Sequence, residues 1–580
     1  MNAAQVLDDE VPAAYRRLVQ PHVESFNYFL REGLSSVVEG VRPVEIRHPV
    51  TQKIHSFWFG NPIIGQPIKT EATVGKEQRL FPRECRQSKK SYVAALNVDF
   101  MYGVQGAEPR RLHICLGQLP VMVGSTACNL RGMSKSQLVR LQEEANDAGG
   151  YFVVGGLEKI VRMLVMQRRH YIMALERSSF LKRGAGYTNK ATLIRCVRED
   201  EYGSTITCYY LEDGTVNVGV VVRGIEFFIP AGILLKCFME VSDKELYAQI
   251  ASADLDDKDG DSGVRAHGHS TFVADRTEML LRQAARAGLL TRSQCVGHIG
   301  SHFRSSMGLP EWYTDHEAGL LFLEDYMFVH LDNGEDKMNL LILMIQKLYA
   351  LVHGDCCVDN GDALSSQEAL LPGHFFMKVM RELLINWLEF FRTKVQRDIE
   401  KNPEGVDLTD AVSLKKITWK IFDVGKRVDN ILKVGTFVPK SFRDLGQITG
   451  FTVMAERINY CRYLAHFRAI HRGAPFVEMR VTTVRRLLPE SWGFLCPVHT
   501  PDGTPCGLLN HLTSSCLIAT GHAEAIADAN TAICAVLAGL GMVPAQPRTL
   551  KASVPKYLPV VVDGRLAGHV LTIVAPKVVQ

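Results

Sequence analysis

Residues 485–512, RRLLPESWGFLCPVHTPDGTPCGLLNHL, limit the folding options of this chain more than any other stretch. Pro497, Pro501 and Pro505 follow at four-residue steps, and each removes a backbone donor and fixes φ, so no helix can run through them. The chain there must be turns. Thr500-Pro501-Asp502-Gly503 reads as a tight turn, with proline presetting φ at the first central position and glycine free to adopt conformations that other residues avoid. Cys506-Gly507-Leu508-Leu509 then returns to a short apolar run that can be buried. Turns this dense, led by Arg485 and Arg486 and rooted in an apolar run, suit a structured loop at a working site better than a core element.

At 580 residues the chain is too long for one core and should divide into several domains. Its hydrophobic fraction of 46% and charged fraction of 22% are ordinary for globular proteins. A net charge of +4 does not by itself imply nucleic-acid binding, so that question rests on local clusters. No long apolar run and no amino-terminal h-region is present, which points to a soluble intracellular protein without membrane contact. The 14 cysteines include no C-x-x-C pair, so zinc knuckles are not expected and reduced, mostly buried thiols are.

Residues 14–38 space their apolar positions for an amphipathic helix. Residues 53–59, 92–100 and 111–116 alternate as strands, with Gly60-Asn61-Pro62 and Gly65-Gln66-Pro67 as breaks. Between them, residues 76–90 form a basic loop that suits phosphate, a solvated surface or a subunit contact. Ser134 caps a helix reaching to about residue 145. Residues 151–154 form a buried strand that turns through Gly155-Gly156 into residues 157–159, and the motif of a nucleotide-cradling loop is absent. Residues 206–240 alternate again and end in a short helix. The acidic stretch 254–261 lacks the first carboxylate and closing glutamate of a calcium loop and reads as a surface insertion. Helices follow at 276–287, 340–352 and 375–399; in the last, Phe376, Val379, Leu383, Trp387, Phe390 and Phe391 form an apolar face, with Lys378, Glu382, Glu389 and Arg392 off it. From 414 to 443 basic residues gather, among them Lys415, Lys416 and Lys420 as possible DNA contacts. In residues 450–486, Val453, Ile458, Tyr460, Leu464 and Phe467 suggest a helix, followed by a loop tip at Gly473-Ala474-Pro475.

The motif LLPESWGFLCPVHTPDGTPCGLLNHL resembles the fork of the second-largest, beta-like subunit of multisubunit DNA-dependent RNA polymerases, whose pattern is H-x-x-x-W/Y-G-x-x-C-P-x-E-T-P-E-G-x-x-x-G-L. A second resemblance, G-G-Y-F-x-x-x-G-x-E-K, falls at residues 149–159, and V-E-S-F-N-x-F near the amino terminus is a third. The wording around Leu488-Pro489-Glu490-Ser491 and Val498-His499-Thr500-Pro501-Asp502 is similar to the polymerase I form. Leu488, His499 and Asp502 depart from the wider pattern, so roles of its histidine and first acid do not transfer.

This resemblance implies a mixed α/β (α+β) multidomain fold: a protrusion-like domain from residues 1–205 and 366–436, a lobe-like domain inserted at 206–365, a fork at 437–512 and a truncated external domain at 513–580. The chain would then be the amino-terminal half of a subunit, as a fragment, an isoform or a separately encoded piece. The implied function is DNA-templated synthesis of ribosomal RNA precursor in the nucleus and nucleolus, within an enzyme that is inactive as this chain alone. Implied partners are the largest subunit, other polymerase subunits, the DNA template and the RNA–DNA hybrid. Catalytic residues and metal ligands are expected elsewhere in the assembly: Mg2+ on the largest subunit and Zn2+ in the remaining carboxy-terminal part. The residues implied to face nucleic acid are Arg468, His471, Arg472, Arg480, Arg485 and Arg486, with Trp492, Pro501, Asp502 and Gly503 forming the fork turn. Alternatives are a non-catalytic nucleic-acid-binding or assembly variant of the same fold, and another polymerase class.

Overall fold

The computed structural model describes residues 13–69, 78–251, 267–402, 407–441, 444–479, 481–519, 523–545 and 557–579. The acidic stretch 254–261, Lys76, Arg443 and Arg480 lie outside the described residues. Mixed helices and sheets make up several packed units, an α+β multidomain fold.

Strands β1 (Val44–Arg47), β2 (Ile54–Ile64), β3 (Val93–Val104) and β4 (Arg110–Pro120) form an antiparallel meander in that order. They run longer than their alternation predicts. Gly60-Asn61-Pro62 does not end β2, because Asn61 adopts a φ of 42° and the pairing absorbs the irregularity between Gly60 and Ile63. On the inner face, Phe57 meets Phe391 at 4.9 Å and Phe59 meets Trp387 at 5.2 Å between ring centroids. Those partners belong to the long helix Pro372–Lys401, which starts with proline at a position where a missing N–H leaves nothing unsatisfied. The amino-terminal segment, helical from Ala13–Tyr28 through a π turn at Phe29–Gly33 to Leu34–Glu39, lies against the same helix. Gly33 is needed there, since a Cβ would fall 2.7 Å from the Met377 sulfur. Segments more than 300 residues apart thus share one core.

The charges of the long helix overturn some of the sequence reading. Lys378 and Glu382, expected off the apolar face, are buried, as is Arg381, while Phe390 is half exposed. Polar residues are tolerated inside because each meets a partner. Lys378 Nζ donates to Asp444 Oδ2 at 2.8 Å and to the Glu201 carbonyl, and Arg381 Nε to Asp200 Oδ2 at 2.8 Å. The Glu382 carboxylate accepts from the main-chain N–H groups of Lys440 and Ser441.

The Gly155-Gly156 turn joins β5 (Phe152–Val154) to β6 (Leu157–Val161), followed by β7 (Met163–Gln167). Next come β8 (Met173–Glu176), β9 (Tyr187–Val197), β10 (Gly203–Leu211), β11 (Val216–Val222) and β12 (Ile225–Pro230), one antiparallel sheet ordered β12-β11-β10-β9-β8. The expected boundary at 205/206 falls inside β10. Alternation did not reveal three helices: Asp243–Ala251 packs with Gly334–His353 beside this sheet, while Arg292–Met307 and Asp315–Asp325 pack on each other. The helix after Ser134 is shorter than expected: its capping box starts Lys135–Arg140, and Gln142, at φ 56°, ends it.

Two small sheets tie distant segments together: β14 (Thr452–Met454) pairs with β6, and β13 (Gln367–Leu370), β7, β15 (Ala469–His471) and β16 (Leu509–His511) lie side by side. Val453, expected in a helix, is therefore in a strand; the helix Tyr460–Arg468 begins only after Asn459, whose side chain caps the Arg462 N–H at 2.7 Å. A final sheet orders β17 (Val543–Pro544), β19 (Arg565–Leu571) and β18 (Tyr557–Val562). All 14 cysteines are free, but only six are buried, fewer than expected. Among the described residues no helix is long and apolar enough to cross a membrane.

Candidate nucleic-acid interface

The loop between β15 and β16 is the organising stretch of the sequence, and it is rooted at both ends in the four-stranded sheet. β15 pairs parallel to β7 through Ile470 and Met163, and antiparallel to β16 through Ala469 and His511. Between these strands the chain makes short helical turns at Pro475–Glu478, Thr483–Arg485 and Pro489–Ser491, as the prolines require.

Arginines hold the loop together. Arg468 is buried, and its Nη2 donates to the carbonyls of Thr513 and Cys516, the latter at 2.9 Å. Arg472 donates to the Val484 carbonyl at 2.7 Å and to Asp362 Oδ1 at 2.6 Å. Arg485 donates to the carbonyls of Thr504 and Cys506 at 2.6 and 2.9 Å. Each guanidinium thus bridges stretches of chain that have no regular pairing, using donors whose planar fork suits paired carbonyls. Arg468, which the resemblance implies to face nucleic acid, ties two loop carbonyls in this structure, and Arg472 and Arg485 make ties of the same kind. Arg486 differs: it is exposed, and no ion pair joins it to a carboxylate of the described residues. His471 is half-buried, its Nδ1 accepts from the Gly473 N–H at 2.9 Å, and burial with Arg162 nearby lowers its pKa, so a neutral ring presents Nε2–H.

The turn itself is built on close approaches. Gly507, at φ 73°, lies so near Arg485 that a Cβ would fall 2.4 Å from its carbonyl oxygen. Thr500 Oγ1 accepts from the Gly507 N–H and donates to the Leu509 carbonyl, both at 3.0 Å, which closes the stretch containing Pro501, Asp502 and Gly503. Gly503 has a φ of 81°, and the Cys506 N–H donates to its carbonyl at 3.1 Å. His499, in place of the acid of the wider pattern, stacks on His511 with centroids 3.5 Å apart. Burial pushes His511 down to about 4, so its ring is neutral at neutral pH.

Trp492 is 70% exposed and Phe494 50% exposed at the loop surface. Behind them opens a cavity of about 390 Å³, lined by Leu488, Leu495, Leu512 and Ile518 and edged by Arg472 and Arg486. Sequence reasoning singled out Trp492 as a turn residue but missed this cavity, which arises because β13, from a distant segment, forms its floor through Ala369. Lys415, Lys416 and Lys420 are exposed on a separate surface. Among the described residues no group of three or more His, Cys, Asp or Glu side chains converges as a metal site.

This construction is that of a rigid loop braced by arginines on a composite sheet, in a chain whose two ends of one core enclose an inserted unit. Residues 17–419 match the RNA polymerase beta subunit family, and residues 453–518 match RNA polymerase Rpb2, domain 3. The chain belongs to the RNA polymerase beta subunit family. It is 36% identical to DNA-directed RNA polymerase I subunit 2 of Arabidopsis thaliana over 97% of this chain and 48% of that protein. The corresponding DNA-directed RNA polymerase I subunit rpa2 of Dictyostelium discoideum is 38% identical over 96% of this chain and 49% of its own. DNA-directed RNA polymerase I subunit RPA2 of Homo sapiens is 35% identical over 98% and 48%. The chain spans about half the length of the curated relatives it matches.

Proposed function

We propose that this chain serves as the second-largest-subunit component of RNA polymerase I, in which the fork holds DNA strands apart beside the RNA–DNA hybrid during synthesis of ribosomal RNA precursor. Relatives along nearly the whole chain that carry the polymerase I name support the class. The observation that carries the fork role is the division of labour among its arginines: Arg468, Arg472 and Arg485 stiffen the loop, while Arg486 and Trp492 of the same stretch are exposed. A stiff loop can keep the DNA strands separated without yielding, an outward guanidinium neutralises a backbone phosphate, and an exposed indole stacks on an unpaired base. Arg480, outside the described residues, belongs to the same loop. In the assembled enzyme Mg2+ supplies the metal chemistry of phosphoryl transfer. This chain positions the nucleic acid. The largest subunit and further subunits are its partners, Zn2+ is a second metal of the assembly, and the nucleus and nucleolus are its place of work.

The test is affinity purification of the endogenous chain followed by RNA synthesis on a tailed DNA template. Recovery in an active many-subunit complex is expected. Recovery without the largest subunit, and without activity, would replace this reading by that of a nucleic-acid-binding or assembly variant.

A further inference from the structure

The helices Ala411–Thr418 and Val424–Val434 lie on β4. The fit is close at its centre, where a Cβ on Gly425 would fall 2.2 Å from the Gln118 carbonyl oxygen. The carboxylates of this segment are turned toward its own backbone or inward. Asp410 accepts from the N–H groups of Val412 and Ser413 at 3.2 and 2.9 Å, Asp423 caps Lys426 N–H at 2.9 Å, and Asp429 Oδ1 is buried. The ammonium groups are not neutralised in return: Lys415, Lys416 and Lys420 are exposed and make no ion pair within 4.0 Å to a carboxylate of the described residues. Among them stands Trp419, 84% exposed. Its N–H bonds to the Lys415 carbonyl at 3.1 Å, which continues the helical turn and sets Lys415 and Trp419 one turn apart on the same side.

An indole left in water exposes a large apolar area, and a soluble surface gains nothing from that without a partner. Val412, also exposed, lies further back along the helix with Lys415 and Lys416 between, so the ring does not extend into an apolar stripe that would seat a protein helix. A flat π face set among unpaired cations complements a ligand that alternates flat rings with negative charge.

We propose that this face binds single-stranded nucleic acid, with Trp419 stacking on a base and Lys415, Lys416 and Lys420 neutralising the phosphates on either side. It is a site apart from the fork, and the inference rests on this surface alone, so it can fail while the polymerase reading stands.

The experiment uses the full chain and a short fluorescein-labelled oligothymidylate, with anisotropy followed as potassium chloride is raised. Trp419→Ala should weaken binding at least about five-fold, and Trp419→Phe should retain most of it, because a smaller ring still stacks. Lys415→Glu with Lys420→Glu should flatten the salt dependence by about 0.7 in slope for each phosphate no longer neutralised. Unchanged thermal melting of these surface variants excludes a folding defect, and Arg486→Ala in the same assay reads the fork separately. Wild-type affinity in Trp419→Ala would overturn the proposal. So would equal competition by polyglutamate of matched charge, which would assign the face to an acidic protein partner instead.

Discussion

Arg468 and Arg486 are close in sequence, and burial is what separates them. Arg468 is 6% exposed and satisfies two carbonyls outside any strand ladder, whereas Arg486 faces solvent. Replacing Arg468 with alanine leaves those acceptors unsatisfied, and the expected cost is about 2–3 kcal/mol, read as a lower urea midpoint. Arg486→Ala should shift the same midpoint by no more than about 0.5 kcal/mol. Gly507→Ala is expected to be as harmful as the loss of Arg468, about 1–3 kcal/mol, because alanine is strained at φ 73° and its Cβ meets the Arg485 carbonyl. A Gly507→Ala protein with wild-type thermal melting would show that the turn relaxes without loss.

On the scale of elements, the long helix Pro372–Lys401 joins distant segments of the chain through charge as well as through aromatic packing. Its Lys378 and Arg381 reach Asp444 and Asp200, while Arg169 in the turn after β7 reaches Glu201 and Arg195 of β9 reaches Glu368. Burial works against the charge on Glu201, but Arg169, His374 and Lys378 together outweigh it and hold the carboxyl far below its usual range. Glu368 is lowered likewise, burial again being outweighed by Arg169 and Arg195. A carboxyl depressed in the folded state is charged there while its unfolded counterpart takes up a proton. Its stabilisation is therefore complete above the unfolded value, about 4.3, and is lost as pH falls below it toward the folded value. Urea midpoints measured from pH 7 downward should stay level to about pH 5 and then drop steeply. Glu201→Gln should make that drop shallower while lowering stability at pH 7; an unchanged acid limb would remove this cluster as its cause. Lys378→Met, which leaves Asp444 without its nearest cation, should cost about 3–5 kcal/mol.

For the whole molecule, membership of an assembled polymerase would put the consequence of Arg486 in elongation rather than in folding. Arg486→Glu in the purified complex should slow elongation roughly five-fold, the worth of about 1 kcal/mol of partly exposed ionic contact, with the same subunits co-purifying. Elongation at the wild-type rate would remove Arg486 from the strand-separating role. At this scale the sequence was most legible where local rules act without competition: prolines forced residues 485–512 into turns, and Gly155-Gly156 marked a hairpin. It was least legible where distant segments meet. Val453 satisfies a helical spacing but pairs with Ile160, and Lys378 and Glu382 look like solvent residues until strands and loops from elsewhere close over them.

The family was legible through its motifs, and the turns of residues 485–512 through local rules, because proline, glycine and apolar spacing act on the backbone within a few residues. Which arginines brace the loop and which face outward was settled by packing in three dimensions. A guanidinium's role depends on whether carbonyls or water surround it, and those neighbours come from residues as far apart as Asp362, Val484 and Cys516.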